Sequence, residues 1–344
     1  MHFIAFNQNL CPKIKGITFQ TFLSVIVLIL LFDFCLFERT KSYVMGEWTG
    51  RRFRSPLART VYYKLLDDQR HREDTHPYWY RFEVDKIPEE LKDKFMPCHQ
   101  DTETSLFLEN CYEKSDYIFT QLYFSMARSV LSWFMSPTSI NGWLDRGSMF
   151  IFSQNQIKDL LNITDDWRAE NFLDLGAGDG KITQKLSHLF NQVYATEASN
   201  VMIKRLKERN FSVLDIDAWD NGNITYDLIG CLNLLDRCDK PISILHSIKK
   251  SLRKGGGRAL VAVVLPFSSY VEEGSSDHQP TEKIHVEGSS FEEQATSLIK
   301  HVFEPAGFNV DKFTRVPYLC EGDMGKSFYV LDDALFVLSP KVTS

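Results

Sequence analysis

Two groups of residues have types and spacings that could do chemistry. The first is Asp174-Leu-Gly-Ala-Gly-Asp-Gly180, which follows an apolar run and precedes the amphipathic "KITQKLSHLF". Glu197 closes the next apolar run, "VYATE". Glycines at a strand-to-helix junction let the backbone approach a ligand closely, and the helix start offers unpaired N–H groups. An acid at the end of the following strand can accept both hydroxyls of a ribose. Alone, G-x-G-x-G is also an ordinary turn. The third glycine comes one residue sooner than in the dinucleotide pattern G-x-G-x-x-G, and an opening Asp suits a cationic amino-acid end better than a pyrophosphate. The set therefore points to S-adenosylmethionine, a nucleoside whose sulfonium carries a methyl group, with a dehydrogenase as the lesser competitor. The residues expected at the cofactor are Asp174, Gly176, Gly178 and Glu197, with Asp217 of "VLDID" toward the adenine amino group. The competing reading of Asp217 is a turn or helix cap.

The second group is Asn233 and Asp236 in "CLNLLDRC" (231–238). They read either as a polar strand end with Asp236 capping the helix near Pro241, or as groups beside the reactive methyl. Ligands of open α/β sheets bind beyond the carboxyl ends of the strands, which favours the second reading.

Elements able to position these groups alternate along the chain. The expected strands are "NFLDL", "VYATE", "FSVLDID", "YDLIGCLNLL", "RALVAVVLP", "FNVDKFTRV" and "FYVLDDALFVL". Helices fall between them near 200–209, over "ISILHSIKKSL" and near 291–303. Short apolar strands alternating with helices predict a parallel sheet covered on both faces. The last two strands read as a hairpin at one edge. Upstream, "YIFTQLYFSMARSVLSWFM" has helical spacing, with Ile118, Leu122, Tyr123, Met126 and Val130 on one stripe and Pro137 as its stop. A second helix is expected over 154–161. The expected division is a hydrophobic signal or anchor segment at 1–45, a polar, loop-rich connector at 46–114, a helical cap contributing to the site at 115–165, and the catalytic domain at 166–340.

Composition excludes several classes. A hydrophobic share of 44% rules out wholesale disorder, and a net charge of −6 without a basic stripe argues against nucleic acid. The seven cysteines form no C-x-x-C pair, so neither a zinc cluster nor a dense disulfide framework is expected. His71, His76, His99, His278 and His285 lack ligand spacing and read as solvated loop histidines, so no metal is expected. Residues 16–37 have an apolar centre at 22–32, reach bilayer length only by including Gln20, Ser24 and Asp33, and lie between Lys13/Lys15 and Arg39/Lys41. They read as an uncleaved anchor giving membrane association, on the endoplasmic reticulum or another endomembrane, with the mitochondrion as an alternative. Arg51, Arg52, Arg54 and Arg59 favour a cytosolic catalytic domain, whereas sequons at Asn162, Asn210 and Asn223 suit a lumenal one, so the membrane face stays open.

Taken together, "FLDLGAGDG", "YATE", "YDLIGCLNLLDRCD", "VVLPFSSYVE", "PYLCEGDMGKSFYVLDDALFVL", "TSINGWLDRGSMFIFS" and "RSPLAR" resemble the methyltransferase-like protein nine family. Its members are the protein-histidine N-pros-methyltransferases, also called the DREV group. "LDIDAW" and the loop 272–288 depart from the family pattern. The resemblance implies a Rossmann-like class I S-adenosylmethionine-dependent methyltransferase. Its sheet would have seven mostly parallel strands with an antiparallel last strand, behind an N-terminal helical extension. It further implies methyl transfer to Nδ1 of histidine in His-x-His motifs of protein substrates, where x is small. Cofactor residues are then Asp174, Gly176 and Glu197, and histidine-contacting residues are Asn233, Asp236, Tyr318 and Tyr329.

Methylation at Nδ1 requires a lone pair there and the proton on Nε2. A carboxylate accepting from Nε2–H supplies that condition, a role suited to Asp236, while Asn233 can hold the ring. Tyr318 and Tyr329 would add an aromatic wall, although Tyr in a β-hairpin is commonly sheet packing. The alternatives are a methyltransferase for a small imidazole-containing substrate or a lipid, and a non-catalytic cofactor-binding protein.

Overall fold

A computed structural model describes residues 56–72, 74–271 and 277–341. The expected anchor at 16–37 and the rest of 1–45 lie outside the described residues. The chain divides into units 1–58 and 59–344, and nearly all described residues belong to the second. Among the described residues, no helix is long and apolar enough to cross a membrane.

Eight strands form one sheet in the order β1-β7-β8-β6-β5-β2-β3-β4. The strands are β1 (Met149–Phe150), β2 (Ala169–Leu175), β3 (Phe190–Thr196), β4 (Ser212–Leu214), β5 (Leu228–Leu232), β6 (Arg258–Leu265), β7 (Phe308–Glu321) and β8 (Phe328–Pro340). Strands β2 to β6 pair in parallel, and β8 runs antiparallel between β6 and β7. Seven strands were expected; the eighth, β1, has two residues and pairs with Cys320 and Leu319 of β7. Two residues are too few to show a period. The β7–β8 hairpin is therefore not the sheet's free edge, because β8 lies inside and β1 flanks β7.

The helices are α1 (Pro56–Arg72), α2 (Thr102–Asp116), α3 (Ile118–Leu131), α4 (Pro137–Leu144), α5 (Gln154–Leu161), α6 (Lys181–Ser187), α7 (Asn200–Glu208), α8 (Pro241–Ser251) and α9 (Phe291–Ser297). The core has two layers, one on each face of the sheet. Ile229, Cys231, Val261 and Phe336 pack with α8 and with a π-helical turn, Leu298–Phe303, after α9. Leu228, Leu260, Ala262 and Leu335 pack with α2, α5 and α6 on the other face. Strand side chains alternate between faces, so apolar residues at successive positions feed both layers. Helix α5 starts where its sequence predicts. Ser153 and Gln156 cap it reciprocally, and Asn162 closes it in the left-handed conformation at φ 50°.

Residues upstream of the catalytic region supply core. Trp79, Tyr80, Ile87 and Leu91 are buried, and Met96 N–H donates to the Phe313 carbonyl at 2.8 Å. His76 corrects the expectation of a solvated loop histidine, because it is 1% exposed and stacks on Trp79 at 3.8 Å between ring centroids. Its Nδ1 lies 3.0 Å from Gln100 Oε1 and its Nε2 lies 3.0 Å from His71 Nδ1. Burial holds its pKa below the usual value. The apolar stripe of α3 also differs from the usual inward orientation, since Tyr123, Met126 and Val130 are exposed. Among the described residues all five cysteines are free and no His, Cys, Asp or Glu group has metal-binding geometry.

Candidate functional site

Four strand ends converge on the site. The chain leaves β2 into the glycine loop, β3 into Glu197, β4 into the turn containing Asp217, and β5 into Asn233. Strands β2 and β5 are adjacent although separated in sequence, which is the switch point where an open parallel sheet parts to admit ligands.

The cofactor side is already hydrogen-bonded. Gly176, Gly178 and Gly180 have φ of 68°, 57° and 77°, a conformation that side chains disfavour. Glu197 accepts from Gly178 N–H at 2.9 Å, Ala198 N–H at 2.9 Å and Ser199 N–H at 3.0 Å, tying the loop to the end of β3. Asp174 was expected to meet the cofactor, but its side chain lies beneath the loop. It is 2% exposed, accepts from Thr183 Oγ1 at 2.5 Å, and would stand 2.9 Å from a Cβ on Gly230 of β5. Burial, reinforced by the nearby Glu197 carboxylate, raises its pKa to about 7 against the hydroxyl's opposing effect. Asp174 therefore braces the turn from below.

The residues fit S-adenosylmethionine. A Cβ on Gly178 would meet no atom within 4 Å, so the loop backbone there is open to an approaching ligand. Glu197 is only partly buried, and a carboxylate has about four accepting positions, one more than its backbone donors use. Asp217 is exposed just beyond β4; its N–H donates to Asp215 at 2.9 Å, so Asp215 rather than Asp217 makes the turn. Trp219 is 8% exposed and belongs to the core.

The acceptor side is built differently. Asn233 has φ 54°, and its N–H donates to the Ala262 carbonyl at 3.0 Å. Such a left-handed non-glycine residue is tolerated mainly for Asn and Asp, and marks a backbone held by its surroundings. Its Nδ2 donates to Asp333 Oδ2 at 2.9 Å, while its Oδ1 is buried without a partner. Asp236 is 8% exposed, with Oδ1 also buried and unpartnered and Oδ2 3.9 Å from Arg237 Nε. Burial raises the Asp236 pKa, partly offset by Arg237. The capping reading fails, because the cap of α8 is Lys240 and no side chain bonds there. Leu234, between the two polar residues, lies 3.1 Å from a Cβ built on Gly176, so the cofactor and acceptor turns touch.

Tyr318 and Tyr329 separate in role. Tyr318 is 4% exposed, bonds Met149 Sδ through its hydroxyl and packs in the core; burial drives its pKa upward. Tyr329 is exposed and donates to Asp323 at 3.0 Å. It lies four residues along β8 from Asp333, about 13 Å at the rise of a strand. There it borders an open cavity of about 350 Å³ lined also by Gln121, Arg128, Arg146, Glu321 and Asp323. Helix α3 thus lines this cavity through Gln121 and Arg128.

The sequence reading missed Asp333. It is 0% exposed within β8, opposite Val264 and Val316, and burial raises its pKa to about 8. The available signal was an acid doublet, Asp332-Asp333, inside the apolar run "VLDDALFVL".

The family model for DREV methyltransferases matches residues 79–340. The chain belongs to the DREV methyltransferase family. Its strand order accordingly describes a Rossmann-like methyltransferase fold with β1 added, and its cofactor is S-adenosylmethionine. Solved structures similar to this DREV methyltransferase include the DhpI–SAH complex, at 17% identity and TM-score 0.36 over 66% of this chain and 98% of that one. NodS, an N-methyltransferase from Bradyrhizobium japonicum WM9 in complex with S-adenosyl-L-homocysteine, shares 14% identity at TM-score 0.34, over 54% and 85%. The glycopeptide N-methyltransferase MtfA complexed with S-adenosylmethionine shares 13% at TM-score 0.36, over 55% and 88%.

Proposed function

We propose that this methyltransferase modifies the pros nitrogen, Nδ1, of histidines in protein His-x-His segments where x is small. The carrying observation is the unpartnered Asp236 Oδ1, buried beside the turn that touches the glycine loop. A buried carboxylate oxygen without a donor is unfavourable by about 1–3 kcal/mol, and an incoming N–H relieves it. Neutral imidazole has one such N–H and one lone pair. If Asp236 accepts from Nε2–H, the lone pair must lie on Nδ1, which is then free to attack.

Bound S-adenosylmethionine supplies an electrophilic methyl on a sulfonium. Gly176, Gly178 and Glu197 would hold it, and Asp174 keeps that loop in shape. Asn233, with a partnered amide nitrogen and a free Oδ1, orients the acceptor. Alkylation at Nδ1 makes the ring cationic, and the Asp236 carboxylate stabilises that charge and takes the Nε2 proton, leaving neutral pros-methylhistidine. Its elevated pKa improves it as proton acceptor. Tyr329 and the cavity beside it receive the chain flanking the acceptor histidine. Residues 16–37, whose composition suits an anchor, support association with an endomembrane.

The test is to incubate the protein with methyl-labelled cofactor and His-x-His peptides, Ala-x-Ala peptides, imidazole dipeptides and lipid vesicles. Label at Nδ1 of the His-x-His peptide is expected. Label confined to the dipeptide or the lipid would replace the proposed substrate class, and label on none would overturn catalysis on these substrates.

A further inference from the structure

The buried carboxyl of Asp333 has no role in the steps above, yet it is the one side chain that bonds Asn233. Its geometry is constrained on every side. Val264 of β6 and Val316 of β7 oppose it across the sheet. The charged or titratable groups facing it are Asp236 and Arg237 from the turn after β5, Asp332 on its own strand, and Tyr318 and Cys320 from β7. One of its oxygens accepts from Asn233 Nδ2 at 2.9 Å, and the other has no partner. The Asn233 backbone is pinned by its bond to Ala262. The amide can therefore change chiefly by turning its two ends over.

We propose that Asp333 is a positioning residue, which fixes the end of the Asn233 amide that faces the methyl acceptor. An accepting Asp333 draws the NH₂ group toward the sheet and leaves the carbonyl oxygen free to accept from a backbone N–H of the acceptor segment, since the ring's one N–H is given to Asp236. A protonated Asp333 can donate instead, which permits the amide to turn and present its NH₂ group, a donor that cannot pair with that backbone N–H. The two arrangements therefore differ in how they hold the segment that places the ring. This inference rests on the histidine reading for its consequence in catalysis, but not for the link between Asp333 and Asn233.

Two measurements on the full chain separate these. The first follows the Asn233 side-chain ¹⁵N–¹H amide pair by NMR from pH 6 to 9, assigned by its loss in Asn233→Asp. The pair is expected to shift with a midpoint near 8 and to stop responding in Asp333→Asn. Because Asp236 and Asp333 are coupled, the midpoint belongs to the pair of acids. An Asn233 amide unresponsive to pH in the unaltered protein overturns the proposal, whether or not Asp333→Asn folds. The second is the pH profile of transfer to a His-x-His peptide. Asp333→Asn is expected to lower kcat by about 10- to 100-fold, the scale of a misoriented contact, and to remove the rise near pH 8 while cofactor affinity stays within twofold. A purely structural role would lower stability and leave the profile's shape intact, which overturns the proposal. Absence of transfer by the unaltered protein would refute the histidine reading alone, and the amide titration would still decide the role of Asp333.

Discussion

On the cofactor side, Glu197 accepts three backbone N–H groups and Asp174 a threonine hydroxyl; on the acceptor side, Asn233, Asp236 and Asp333 each leave one oxygen unsatisfied. Both sides sit at strand ends of one sheet, and each includes a buried carboxyl, Asp174 on one and Asp236 on the other. The difference lies in what each side waits for. Self-satisfied groups hold a shape, and the cofactor cradle exists before its ligand arrives. Unsatisfied buried acceptors carry an unfavourable free energy that a hydrogen-bond donor relieves. On the proposed reading, transfer needs both: a fixed cofactor position and an acceptor group that Asp236 and Asn233 hold in place.

The sharpest attempt to break this contrast is Asp236→Ala. Loss of transfer by about 1,000-fold or more is expected, because general acid–base help and charge stabilisation disappear together. Cofactor affinity by calorimetry should remain within about twofold, and a large loss would show that the two sides are not separable. Glu197→Ala makes the opposite cut. It frees three N–H groups and one ribose acceptor, so the cofactor Kd is expected to rise by about 10- to 100-fold, read by the same calorimetry. Peptide binding without cofactor should change little.

Within the cofactor loop, two glycines separate shape from packing. At Gly178 an alanine Cβ meets nothing within 4 Å, whereas at Gly180 it would stand 2.8 Å from Leu206 Cδ2 and 3.0 Å from Phe211 Cε2. Gly178→Ala should therefore weaken cofactor binding at a stability cost of about 1–2 kcal/mol from its positive φ alone. Gly180→Ala should lower Tm further, because overpacking adds about 1–3 kcal/mol to the backbone strain. Equal Tm values for the two would contradict the packing described here.

The smallest effect concerns pH and falls on both sides together. Asp174 and Asp333 have pKa values raised by burial from 3.8 to about 7 and about 8. The folded state thus binds protons that the unfolded chain has already lost. This contribution to stability is complete below about pH 4 and diminishes as pH rises toward 8. His76 acts in reverse: its depressed pKa makes stability fall as pH drops below about 6.5. Denaturant titrations at pH 5, 7 and 8.5 should show the carboxyl loss, reduced at the alkaline end in Asp333→Asn.

The glycine loop and Glu197 were legible because both sit at period breaks, where an apolar run meets glycines or a single acid. Helix α5 was legible to the residue, since Ser153 and Asn162 signal its ends locally. Asp174 was legible as important but misread in its contact, because its burial depends on Gly230 of a strand far along the chain. Tyr318 was legible only as an aromatic wall or as sheet packing, and its contact with Met149 of the two-residue β1 places it in the core.

What the sequence determined by itself is the seven longer strands and the helices between them, because periodicity and capping act between residues a few positions apart; the helices Pro56–Arg72 and Thr102–Asp116, within the expected loop-rich connector, and the two-residue β1 lacked such a signal. The tertiary structure decided which strand ends became neighbours. Only the insertion of β8 beside β6 brings Asp333 to Asn233 across 100 residues, and only the closing of β2 on β5 sets Leu234 against Gly176. No local pattern encodes those distances, since they follow from the order in which the sheet's strands pair.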